Sequence, residues 1–142
     1  LLAYLVYAQA IPAFYYEFGV AMGTQEPAEA MTAVGVAFWY GFALAYLLVY
    51  ITLLALGLIG YWANKTWGHI VLSSALGITV YWPVVCLVAV VSARDAPGWT
   101  LANEADYWVV LPLIAIWGGW GLWRLARTHL QQAIRNGAAS QQ

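Results

Sequence analysis

Hydrophobic residues run through this chain in long unbroken blocks that neither alternate nor show a sharp polar face. No charged side chain falls within residues 1–16, 30–64, 66–93 or 107–123. A helix needs about 20 mostly apolar residues to cross a bilayer core. Backbone in hydrocarbon must satisfy its own hydrogen bonds, which leaves helices or a closed barrel. Continuous blocks are not barrel strands, and four hairpin-sized strands cannot close a barrel. The pattern predicts an all-α fold, a four-transmembrane-helix bundle with helices over 1–22, 31–60, 69–92 and 107–128. These form a single integral membrane domain, with a polar tail over 129–142. The first block is long, aromatic and interrupted by Gln9, Pro12 and Glu17, so it reads as a permanent helix rather than a cleaved signal.

Composition sharpens this reading. Of 142 residues, 64% are hydrophobic and 8% charged, where soluble domains average roughly a quarter charged. Mean hydropathy is +0.74. So few charges do not cover a water-facing surface, which argues against a soluble globular domain or a disordered chain. A formal net charge of −1 offers no basic footprint for a phosphate backbone, so no nucleic-acid partner is expected. The single cysteine, Cys86, excludes a disulfide framework within the chain.

The few charges also predict orientation. Lys65, Arg124, Arg127 and Arg135 would lie on one side, and Arg94 alone among basic residues on the other. Basic residues favour the cytoplasm, so both termini are expected there. Tyr61, Trp62 and Trp67 read as one interfacial aromatic belt, and Trp99, Tyr107 and Trp108 as the opposite one.

Inside the spans, Glu17 stands out as the one acidic residue well within a helix. It lies on one stripe with Gln9 and Ala13, near the Pro12 kink. An intramembrane carboxyl is a functional candidate by default, although it could equally reach the headgroups or bond a neighbouring tyrosine. In the third helix His69, Ser73, Gly77 and Tyr81 share a face, with Thr79 and Pro83 beside it. His69, close to Lys65, reads as interfacial, and the serines and Gly77 as packing residues. Gly35, Gly41, Gly57 and Gly60 of the second helix read the same way. Only His69 and His129 are available as histidine ligands, neither mid-span. No metal site, haem or other cofactor is expected.

Aromatic content is the remaining oddity: nine Trp, ten Tyr and four Phe. Trp117, Trp120 and Trp123 share one face of the fourth helix, with Gly118, Gly119 and Gly121 opposite, so one face is bulky and the other flat. Such walls suit a flat lipophilic ligand, or a protein or lipid contact.

Several short strings resemble the EXPERA-domain family, which includes the emopamil-binding sterol isomerase and the sigma-2 receptor. They are Ala10-Ile11-Pro12 followed by Tyr15-Tyr16-Glu17-Phe18, the loop Gln25-Glu26-Pro27, Ser74 through Trp82-Pro83, and Tyr107-Trp108-Val109-Val110-Leu111-Pro112. The resemblance implies a cavity between the helices, open to the membrane, that accepts sterol-like or cationic amphiphilic molecules. It carries Glu17 over as the helix 1 acid and Trp108 as an aromatic wall for a carbocation. The chain departs from the isomerases: its first helix has no His, its second has no interior acid, and Ala105 replaces an amide. A two-site proton relay lacks its second member.

Two readings follow. In the first, an intramembrane pocket for a sterol-like or other lipophilic ligand is lined by Gln9, Tyr16, Glu17, Tyr40, Trp82, Trp108 and Pro112. Glu17 would be the catalytic group of an isomerase-like relative that lacks the full acid/base set. In the alternative, the protein is a non-catalytic accessory subunit of a larger respiratory or pigment–protein membrane complex, packing through Trp- and Tyr-rich faces. Membrane lipids, a lipophilic small molecule, and a homo-oligomer or larger complex are the expected partners.

Overall fold

A computed structural model of the chain describes residues 1–7, 11–23, 25–96 and 104–139. Among these residues the fold is all-helical, with no strand. Three short helices, α1 (Leu2–Leu5), α2 (Ile11–Phe14) and α3 (Tyr16–Ala21), precede three long ones. The long ones are α4 (Ala33–Trp62), α5 (Thr66–Ala93) and α6 (Glu104–Ala139). A short 3₁₀ turn, Ala28–Ala30, leads into α4.

Ala33–Trp62, Thr66–Ala93 and the Tyr107–Thr128 portion of α6 are each long and apolar enough to cross a membrane. The expected first span is where structure and sequence pattern part. Tyr15 adopts φ −135°, ψ 78°, outside helical geometry, and separates α2 from α3. Pro12 sits in the first turn of α2, where its missing N–H costs least. Hydropathy alone could not register this interruption, because Tyr15 is as apolar as its neighbours. The fourth helix also continues past the apolar block to Ala139. The tail's Ala, Gln, Arg and Leu are good helix formers, and polarity does not oppose a helix that leaves the bilayer.

The N-cap of α4 is Thr32, whose hydroxyl accepts from Gly35 N–H at 3.1 Å, satisfying one orphan donor of the first turn. Midway, Tyr46–Ile51 form a widened π-type turn. Consistent with that widening, Thr52 Oγ1 donates to the carbonyl of Leu47, five residues back, at 3.3 Å. Such bulges interrupt helices preferentially at functional positions.

The connection from α4 to α5 is a Schellman turn. Asn64 takes φ 52°, Lys65 N–H bonds Gly60 O at 2.9 Å, and Asn64 N–H bonds Tyr61 O at 3.1 Å. That reversal brings α5 back along α4 backbone to backbone. A Cβ on Gly57 would lie 2.7 Å from Leu72 Cα, and one on Gly60 2.5 Å from Gly68 Cα. No side chain fits there. Gly57 and Gly60 are packing glycines as expected, whereas Gly41 and Gly77 face open space. Ser74 is exposed and donates to its own helix at Ile70 O, 3.1 Å away.

α5 is the central element, packed along both α4 and α6. The core contains Tyr50, Leu54, Leu72, Ala75, Leu76 and Leu125. α6 presents its flat side inward: Gly118 faces Thr79 and Val80, and Gly121 faces Leu76. Trp117, Trp120 and Trp123 are about half exposed on the opposite side. The bulky-face, flat-face reading of this helix holds for Gly118 and Gly121, whereas Gly119 faces open space.

Candidate functional site

Two recesses bear on function, and they are separate. One is a shallow open groove on the N-terminal segment, lined by Ile11, Tyr15, Tyr16, Glu17 and Phe18. Glu17 is exposed there, in the first turn of α3. Tyr16 beside it is half-buried. Its hydroxyl donates to Glu26 O at 2.6 Å, and its ring meets Trp39 edge-on at 4.9 Å. These contacts fasten the 25–30 loop and the start of α4 to α3.

The second recess lies between α1 and the three long helices. It is a cavity of about 70 Å³, with Tyr46, Tyr50, Thr79, Trp82 and Pro83 on its α4–α5 side. Tyr4 and Leu5 of the N-terminal segment and Leu111 of α6 complete its wall. Its aromatic side is built by contact: Trp82 lies 4.6 Å from Phe42 and 5.3 Å from Tyr46, and Tyr46 meets Tyr50 edge-on at 5.2 Å. Edge-to-face pairing of this kind fixes ring orientation beyond simple area burial.

The polar groups of this cavity can be assigned a direction. Thr79 is 1% exposed, and its hydroxyl donates to Ala75 O at 2.9 Å. Its one hydrogen is thereby used. The 2.6 Å contact between Tyr50 Oη and Thr79 Oγ1 then has Tyr50 donating, which leaves the Tyr50 oxygen as an acceptor. Pro83, inside α5, has no N–H for the carbonyl four residues back, so Thr79 O lacks its usual helical donor. Tyr46 is 6% exposed, and its hydroxyl is buried without any hydrogen-bond partner. An unmade bond of this kind costs about 1–3 kcal/mol. The aromatic wall of the cavity thus includes Tyr46, whose O–H is buried without a partner, with neutral acceptors in the residues beside it.

The expected site residues do not converge. Trp82 lines the cavity, while Tyr16 and Glu17 belong to the open groove. Tyr40 and Trp108 are exposed, and Pro112 is half-buried within α6. Gln9 lies outside the described residues. Sequence reasoning passed over Tyr46, Tyr50 and Thr79 as site residues. The signal was present: two tyrosines four apart in a charge-free span, and a threonine four residues before a helical proline. Among the described residues no group of three or more His, Cys, Asp or Glu could hold a metal ion.

The class these features define is a helical protein with three helices of membrane-crossing length and a small aromatic cavity between them. Comparison with protein-family models, curated proteins and solved structures yields no match.

Proposed function

We propose that this is an integral membrane protein that holds a neutral lipophilic molecule, with the molecule's oxygen-bearing end in the Tyr46 cavity. The unpartnered Tyr46 hydroxyl is the observation that carries this reading. A ligand hydroxyl would accept from Tyr46 and donate to the Tyr50 oxygen or to Thr79 O. A ligand carbonyl would use Tyr46 alone. The 70 Å³ cavity admits only the polar end, because two waters of about 30 Å³ each would fill most of it. The body of the ligand then lies along Tyr4 and Trp82, toward the lipid. A sterol-like molecule fits this description. The groups around Tyr46 carry no charge, which favours a neutral ligand over a cationic one and leaves no acid/base pair for isomerisation.

The experiment is native mass spectrometry of the protein extracted from its own membrane in mild detergent. We expect a lipophilic molecule retained at one per chain by the wild type and about tenfold less by Tyr46→Phe, the equivalent of one hydrogen bond, with folding intact. Equal retention by Tyr46→Phe overturns the reading.

A second reading, the accessory subunit of a larger complex, is favoured by the half-exposed Trp117, Trp120 and Trp123 face. A stoichiometric protein partner in the same spectrum, with no retained small molecule, would decide for it.

A further inference from the structure

The end of the α6 span carries a second arrangement, remote from the cavity. Arg124 places its guanidinium carbon 5.2 Å from the Trp120 ring centroid, and Arg127 places its own 4.1 Å from the Trp123 ring centroid. Each is an i, i+4 pair, and the second repeats the first one turn on. Cation–π contact of this kind holds a guanidinium against the ring face. The two arginines are three apart, hence neighbours on the helix surface, where like charges repel. No ion pair to either is present among the described residues, and the nearest acids in sequence, Glu104 and Asp106, start the same helix about 18 residues away at 1.5 Å per residue. Two fixed positive charges side by side call for an anion between them.

What lies below the pair says which anion. Leu113, Ile116, Trp117 and Trp120 are 61%, 68%, 47% and 51% exposed, and helical spacing puts them on the stripe that ends at Arg124 and Arg127. The apolar span itself ends at Thr128. An apolar track about 10 Å long, at 1.5 Å per residue, therefore leads directly to a pair of forked cations at the edge of the span. From this we infer that Arg124 and Arg127 form a binding site for one anionic phospholipid, its phosphodiester between the guanidinium groups and one chain along the Leu113–Trp120 stripe. Guanidinium forks match phosphate oxygens in paired hydrogen bonds. The site is independent of the cavity ligand and stands or falls separately.

The test uses the full chain in nanodiscs of phosphatidylcholine mixed with phosphatidylglycerol, with retained lipids read by native mass spectrometry. Wild type should keep phosphatidylglycerol in preference. R124Q/R127Q should lose about 30-fold of that preference, since each basic residue near an anionic surface contributes about 1 kcal/mol. R94Q, at the far end of α5, should keep it. R124K/R127K retains the charge without the fork and should recover only part. Full retention by R124Q/R127Q, or full recovery by R124K/R127K, overturns the site. Displacement of the lipid by glycerol phosphate alone would show a phosphate site that does not read the lipid, and overturns it as well.

Discussion

The α4–α5 pair behaves differently at its two ends. Next to the Asn64 turn the helices touch through glycine, with Gly60 on Gly68 and Gly57 on Leu72. Further along the same antiparallel pair, the rings of Tyr46, Tyr50 and Trp82 stand between them, and a cavity opens beside Pro83. The first end has no room for a methyl group. The second has room for a small polar group and a hydroxyl with nothing to bond. One sequence thus builds a closed contact and an open cavity on the same two helices, and substitutions should separate them.

The largest effect belongs at the closed end. Gly68→Leu drives a side chain into the Gly60 backbone, and overpacking of this kind costs about 3 kcal/mol or more where backbone blocks relief. Thermal unfolding in detergent should show a lowered midpoint or no folded protein. Gly77→Leu, facing open space on the same helix, should leave the midpoint nearly unchanged. If both substitutions cost the same, close approach is not what distinguishes this end.

At the open end, Thr79→Val removes the acceptor that Tyr50 uses and leaves a second buried hydroxyl unpaired. The expected loss is about 1–2 kcal/mol in the same unfolding measurement. Tyr46→Phe should do the reverse. It deletes a hydroxyl that has no partner, so the ligand-free protein should be unchanged or up to about 1 kcal/mol more stable. Ligand retention should fall about tenfold, the equivalent of one hydrogen bond. A variant that gains stability while losing ligand marks a group kept for binding. Loss of both together would mean that Tyr46 is structural.

Much of this contrast was legible in the sequence, but unevenly. Uncharged blocks located the three long helices closely, because a span is defined by what is absent from it. Gly57 and Gly60 announced a close approach, and the Trp117–Trp120–Trp123 spacing announced one bulky face, since both follow from helical periodicity. The interruption at Tyr15 did not announce itself: it depends on backbone dihedrals that no hydropathy pattern carries. The candidate site was drawn to Glu17 because an ionisable group in an apolar block is conspicuous. Tyr46 and Thr79 were not conspicuous, since their significance lies in a missing hydrogen bond and a freed carbonyl. Those depend on which helix faces which.

Glu17→Gln is the smallest expected effect and the sharpest check on where the site lies. A buried catalytic carboxyl would tolerate no such change, because the amide neither ionises nor exchanges a proton at working pH. In the structure the Glu17 side chain is exposed on α3, in a groove that shares no lining residue with the Tyr46 cavity. Its neighbour Tyr16 anchors the 25–30 loop through a hydroxyl-to-carbonyl bond that the substitution does not touch. Retention of the lipophilic molecule, read by native mass spectrometry, should therefore match wild type, and the unfolding midpoint should move by no more than about 0.5 kcal/mol, as for other surface changes. A retained-ligand signal that vanishes in Glu17→Gln but survives in Tyr46→Phe would reverse the assignment. It would mean that α3 folds over the ligand, and that the carboxylate rather than the tyrosine hydroxyl recognises it.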